Sequence, residues 1–436
     1  MLLYCHTTTP RLQYVIHFLS RYYKTTILIT NDAVQYRNET DNCKLNYSET
    51  AILENEIWIA PHTLLFEKGI KHTPVSCFNY NGNKAFFKTG GAFPFDLLAA
   101  VFYLLSRYEE YGSHQKDMYG RFAHGAALAF NENFLKTPLI NIWLEAFRKQ
   151  LIQKDVAFAK GLPQFSFEPT YDIDIAWSYK AKGLKRTAGA LLSASIKGDW
   201  QTVKRRIHVL KGIEKDPFDA YNWLDDLHHR FALKPRYFFL VANQRSHLDK
   251  NSKTRSTLFQ NLILQTANQY QVGLHPSWQS GDMPALLHSE KAFLETHTKQ
   301  NSNTSRQHYI RFTLPQTFRH LMAAGITDDY SMGYGSINGF RASVATPFFW
   351  YDLEAEKETG MLLHPFCFMD ANAYYEQHQS VEETEAELMH YYHSVKAVQG
   401  NLCTIWHNHF LGTEPAFQGW RALYQRFVSR CSESGL

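Results

Sequence analysis

The chain has 436 residues, 44% hydrophobic and 20% charged, with no low-complexity tract. That composition excludes a disordered or fibrous protein, and the length makes two domains the default expectation. The net charge of +4 is small for this length and gives no basis for nucleic acid as the main partner.

Aromatic residues make up 15% of the chain, which suits a thick core and a sugar-stacking surface equally well. None of the six cysteines sits in a Cys-x-x-Cys pair, and several lie in apolar runs, so a reducing compartment is expected rather than a disulfide scaffold. The N-terminus, Met-Leu-Leu-Tyr-Cys-His with Arg11 close behind, lacks the pattern of a signal peptide. The longest apolar run, Leu97 to Leu105, is too short to span a bilayer. The expectation is a soluble, cytoplasmic protein without membrane insertion.

Residues 1–155 read as a smaller α/β domain. A helix around Leu12–Tyr22 leads into the β-branched run Thr25–Thr30, with shorter strand candidates at Glu56–Ile59 and Lys84–Lys88. Asp96 is placed to cap a helix through Leu105, and Ile140–Gln150 reads as a helix, with Trp143, Phe147 and, just beyond it, Leu151 spaced for one face. The segment Asp117–Phe122 is turn-like. No phosphate loop, metal cluster or nucleophile elbow stands out in this half, and packing against the second half is its expected role. The stretch from Lys154 to Phe165, with Gly161-Leu162-Pro163, reads as the domain boundary.

From residue 165 to the end, apolar strands alternate with helices. Phe165 opens a strand that runs into Thr170-Tyr171-Asp172-Ile173-Asp174. Lys180 to Lys215 is basic and reads as a helical hairpin with solvated faces. Helix and strand then alternate through Pro235–Val241, Gln271–Leu274, His308–Ile310, Gly325-Ile326, Met361–Pro365 and Leu402–Trp406, with a helix over Glu385–Gln399 closed by Gly400. Such alternation predicts mostly parallel strands with helices outside, in a barrel-like or open sheet.

Residues two apart on an extended segment share a side, so Asp172 and Asp174 project together. Paired carboxylates repel unless a cation or a shared proton neutralises one of them. Taken alone, Asp-x-Asp is more often a solvated strand end. Further polar residues close the later strands, however: His275, His308, Asp328-Asp329 and His407. In parallel α/β folds these ends gather at one mouth.

On these motifs, residues 165–412 resemble the polysaccharide deacetylase superfamily, the carbohydrate esterase type with a distorted (β/α) barrel. Thr170-Tyr171-Asp172 matches the family's opening motif, and the Asp-x-Asp spacing implies Asp172 as base and Asp174 as metal ligand. The family's His-Ser/Thr-x-x-His motif is met by His275-Pro276-Ser277-Trp278-Gln279, which keeps the first His and departs at Gln279. Gln279 or His308 is left to complete the site, or the site holds no metal. The resemblance further implies Arg306 beside the base and His407, from Ile405-Trp406-His407, as the acid. Arg341, Asp329 and Trp406 are the candidate substrate contacts. The implied cofactor is a divalent metal such as zinc, and the implied substrate an N-acylated amino sugar or polysaccharide. The first 160 residues resemble an uncharacterised domain that accompanies such domains in some bacterial proteins.

The residue types suit amide hydrolysis, which needs an activated water, a base to take its proton and an acid for the departing amine. Because of Gln279, the competing reading is a non-catalytic carbohydrate-binding protein with a degenerate metal site. A phosphoryl-transfer Asp-x-Asp is disfavoured by Ala176 and the lack of a later phosphate-binding Lys. A glycosyltransferase is disfavoured by the lack of a preceding nucleotide-binding half.

Overall fold

Two parallel sheets organise the computed structural model, which describes residues 1–40, 43–155, 158 and 164–433. The smaller sheet holds β1 (Leu2–Tyr4), β2 (Leu28–Thr30), β3 (Lys44–Asn46) and β4 (Ile57–Trp58) in the order β2-β1-β3-β4. A hairpin of β5 (Phe78–Tyr80) and β6 (Asn83–Ala85) follows. The larger sheet has nine strands: β7 (Ser166–Ile173), β8 (Arg236–Leu240), β9 (Gln271–His275), β10 (Thr304–Ser305), β11 (Asp328–Asp329), β12 (Phe348–Asp352), β13 (Lys357–Leu363), β14 (Phe368–Met369) and β15 (Asn401–His407). They run in the order β12-β13-β11-β10-β9-β8-β7-β15-β14, parallel except for β12, and curl into a half-barrel with helices outside. The expected mixed α/β architecture is present.

The central strands read as continuous apolar runs because both faces are covered. In β8, Tyr237, Phe238, Phe239 and Leu240 are all buried. Gly273 in β9 is required by close packing: a Cβ there would lie 2.5 Å from the Phe238 ring and 2.6 Å from Thr304 Oγ1. The space so kept lets the Phe238 ring support the Arg306 guanidinium, 4.4 Å above it.

The N-terminal residues close the antiparallel edge at β12 and β13, which would otherwise leave unpaired backbone groups. Tyr14, on the helix Pro10–Tyr22, donates to the Phe349 carbonyl at 2.8 Å, and its ring packs 5.0 Å from Tyr351. Arg11 is fully buried and pairs with Glu356. Asp96 caps the helix Leu97–Leu105 through the Ala99 N–H, as its position implies.

Several expectations shift. His308–Ile310 reads as a strand but forms a tight turn with positive φ at Tyr309 (60°) and Ile310 (55°); the strand lies earlier, at β10. The helix Val381–Ala397 places Gln399, at φ 52°, in the left-handed position expected of Gly400. Gly400 is instead needed for close approach, since a Cβ there would lie 2.8 Å from the Ala345 carbonyl oxygen. Strands β12 and β14 and the C-terminal helix Trp420–Ser432 were not expected. Most of the expected boundary, including Gly161-Leu162-Pro163, lies outside the described residues.

Candidate metal and hydrolytic site

Asp172, the last residue but one of β7, is in register with His407 of β15, and their neighbours Tyr171 and Trp406 are likewise paired. Alternation therefore turns Asp172 and His407 to the inside of the half-barrel and Tyr171 and Trp406 to the helix layer. Asp174, one residue past the strand, faces the same interior. His275 ends β9, and Arg306, Gln307 and His308 follow β10.

The resulting cluster is tight. Ligand atoms of Asp174, His275 and His308 lie within 4.8 Å of one another. His275 Nε2 is 3.2 Å from Asp174 Oδ1, and His308 Nε2 is 3.7 Å from Asp174 Oδ2. Each ring is oriented by its other nitrogen: His275 Nδ1 donates to the Arg306 carbonyl, and His308 Nδ1 donates to Asp249 Oδ1 at 2.9 Å. Both Nε2 atoms are thereby turned into the shared space. One carboxylate and two oriented imidazoles could serve as the donor set of an open divalent-metal site, with the carboxylate and carbonyl behind the rings as supports. Asp174 Oδ1 is buried and, with His275 Nε2 at 3.2 Å, makes no well-formed hydrogen bond among the described residues, which suits a ligand oxygen. The residues fit the group.

Beside the cluster, Arg306 donates to Asp172 Oδ1 at 2.7 Å, both side chains being buried. Asp172 Oδ2 lies 3.8 Å from His275 Nε2. On the other flank, His407 Nε2 is 3.6 Å from Asp174 Oδ2, while its Nδ1 donates to Asp370 Oδ1 at 2.6 Å. The His407 backbone N–H donates to the second Asp370 oxygen at 2.7 Å.

Burial and pairing compete at these groups. Burial works against the charge on Asp174, but the His308 and His275 rings hold its carboxyl well below the ordinary range. For His308, burial lowers the pKa and Asp174, helped by Asp249, lifts it to about 9. For His407, burial again lowers it, and Asp370 raises it to about 10. Burial raises the Asp370 carboxyl too, so the proton on this contact is held against desolvation of both partners.

A cavity of about 460 Å³ opens over the cluster. Its walls include Tyr119 and Arg121 from the N-terminal residues, a contribution the sequence did not signal. Arg121 Nη1 donates to the carbonyls of Gly335 (2.7 Å) and Tyr309 (3.2 Å), which holds the turn that carries His308. Asp249 and Asp370 were also missed.

Three expected substrate contacts are placed elsewhere. Arg341 is buried in an ion pair with Glu110, which also pairs with Arg107, and this locks the N-terminal residues to the larger sheet. Asp329 accepts from Ser305 Oγ and the Ser331 N–H in the core. Trp406 is buried against Tyr424, with ring centroids 4.5 Å apart. Gln279 does not line the cavity, and His308 occupies the space beside Asp174 and His275.

Residues 1–156 match the model of a family described as a family of unknown function, DUF7033. No curated protein matches. Among solved structures, the chain is similar to one described as a polysaccharide deacetylase from Mycobacterium smegmatis, at 10% identity and a TM-score of 0.39, over 62% of this chain and 84% of that one. Another, described as a polysaccharide deacetylase from Pseudomonas aeruginosa PAO1, has 11% identity and a TM-score of 0.37, over 62% and 85%. A 4-alpha-glucanotransferase from Thermococcus litoralis has 10% identity and a TM-score of 0.35, over 62% and 38%. Likeness of this degree carries no argument about chemistry, which rests on the geometry of the site. Among the described residues, no helix is long and apolar enough to cross a membrane.

Proposed function

We propose that the protein is a metal-dependent hydrolase that removes an acyl group from the nitrogen of an amino sugar or a related carbohydrate. The observation that carries this reading is the convergence of Asp174, His275 and His308, each ring oriented from behind, with Asp172–Arg306 on one flank and His407–Asp370 on the other.

A divalent cation such as zinc, held by Asp174, His275 and His308, would lower the pKa of water from 15.7 toward about 7 and polarise the acyl carbonyl. Arg306 fixes Asp172 through Oδ1, leaving Oδ2 on the cluster side to take the proton of the attacking water. His407, lifted to about 10, is protonated at neutral pH and offers that proton from Nε2 to the departing amine. Asp370 orients the ring and stabilises its charged form. The non-catalytic reading drew its support from the missing second His at position 279, and His308 in the cluster weakens that ground.

The test follows free-amine release from N-acetylated amino-sugar oligomers by the zinc-loaded full chain and by Asp172→Asn. The expected result is a loss of about 10²–10⁴-fold with metal content unchanged. Equal rates in the two proteins would remove Asp172 as base, and a metal-loaded wild type that binds the oligomers without cleaving them would favour the binding protein.

A further inference from the structure

Between β7 and β8 the chain leaves the sheet as two helices, Leu184–Ile196 and Trp200–Leu210, packed on each other. The first has no buried residue, and in the second only Val209 is buried. Residues 180–215 contain ten Lys or Arg against two acidic residues, a local charge of +8 within a chain whose total is +4. Everything outside this segment is therefore net acidic.

The surface of the hairpin is not the solvated polar face that its charge suggests. Leu184, Ala188, Leu192 and Ile196 fall at successive i, i+4 positions and all face solvent; Leu184 is 90% and Ile196 77% exposed. On the second helix, Trp200, Lys204, Ile207 and Lys211 form the exposed row, with Trp200 at 66%. Among the described residues, seven of the sixteen large hydrophobic side chains left exposed lie between Leu184 and Ile213. Lys185, Arg186, Lys197, Lys204, Lys211 and Lys215 stand exposed among them.

The base of the hairpin is fixed at the cavity side of the sheet. Asp216 accepts from the N–H groups of Ser178 (2.7 Å), Tyr179 (2.8 Å) and Lys180 (3.1 Å), just past β7. Arg205 donates to the Thr413 carbonyl, beyond the C-terminal end of β15, at 3.0 Å.

We propose that this hairpin docks the protein onto an anionic lipid surface, with the cavity on the docked side. Exposed Leu, Ile and Trp interleaved with Lys and Arg on short helices match a peripheral interfacial element, in which apolar side chains enter the headgroup boundary and cations meet anionic lipids. The same charge without the apolar rows would suit any polyanion, and the apolar rows without the charge would suit a second copy of the chain. An anionic lipid surface uses both.

The experiment sediments the full chain with vesicles of phosphatidylcholine alone and with vesicles of about one-third phosphatidylglycerol. The expected result is binding at least about tenfold tighter to the anionic vesicles, weakened by salt. Trp200→Glu and Leu192→Glu, at exposed positions, should each lose most of it, and Lys204→Glu with Lys211→Glu about tenfold, with circular dichroism and metal binding unchanged. Equal partitioning to both vesicle types would overturn the proposal. So would a concentration-dependent dimer dissociated by Leu192→Glu, which would make the face an interface between copies. Binding to duplex DNA that matches the vesicle affinity and is indifferent to Leu192→Glu would reduce the hairpin to a basic surface.

Discussion

At the mouth of the half-barrel, His308 and His407 are held at about 9 and about 10, while His228, buried beside the same strand β7, is pushed down to about 3. Burial opposes charge in all three. His228 bonds to the Tyr171 hydroxyl at 2.7 Å, itself bonded to Tyr424, and packs against the Tyr237 and Tyr270 rings, while its Nδ1 has no partner among the described residues. The mouth histidines face Asp174, Asp249 and Asp370. β7 serves both environments by alternation, Asp172 turning inward and Tyr171 outward. A depression of about 820 Å³ beside His228, larger than the mouth cavity, contains no comparable set of carboxylates, so size does not mark the chemistry here. Buried carboxylates, rather than burial or histidine itself, separate the proposed reactive end from a structural one.

Removing a mouth histidine tests this contrast most severely. His407→Gln should lower turnover by about 10²–10⁴-fold, read as initial rates, with zinc content unchanged. Asp249→Asn removes only the support behind His308 and should weaken zinc binding by about 10–100-fold by titration calorimetry. His228→Phe should leave turnover intact and cost about 1–3 kcal/mol in denaturant unfolding, because the Tyr171 hydroxyl loses a partner. Its pH signature is distinctive. The His228 pKa is lowered from 6.5 to about 3, so the stability it contributes is present above 6.5 and lost as pH falls toward 3. The Phe variant should flatten that part of the acid limb.

An effect of similar size concerns Glu290, behind the loop that follows His275. Burial raises its carboxyl from 4.5 to about 7, against the Ser277 N–H that it accepts at 2.9 Å. A raised carboxyl contributes stability below 4.5 that is lost as pH rises through about 7. Glu290→Gln keeps an acceptor for Ser277 and should gain about 1–3 kcal/mol above pH 7, with no gain below pH 4.

Much of the mouth could be read from the chain because polar residues ended apolar runs: Asp172 after Thr170-Tyr171, His275 after Gly273-Leu274, His407 after Ile405-Trp406. The same runs contained a signal left unused. Residues adjacent on a strand face opposite sides, so Trp406 could not share the interior with His407. Asp370 follows a strand of two residues, too short to show periodicity, and Asp249 lies in a loop. Arg121 reaches the cavity from a region distant in sequence, and Arg341 is drawn away by Glu110 in the same way. Such long-range pairings leave no local pattern. The turn at His308 reads as a strand because its apolar Tyr-Ile pair resembles one, while carbonyl contacts from Arg121 hold it in another shape.

In the proposed site His308 takes the ligand position that the sequence motif assigns to residue 279. Zinc stoichiometry by elemental analysis, on wild type, His308→Ala and Gln279→Ala purified alike, addresses it directly. One ion per chain in wild type and in Gln279→Ala, with loss in His308→Ala, is the expected result. Full retention of zinc in His308→Ala, or its loss in Gln279→Ala, would contradict the account.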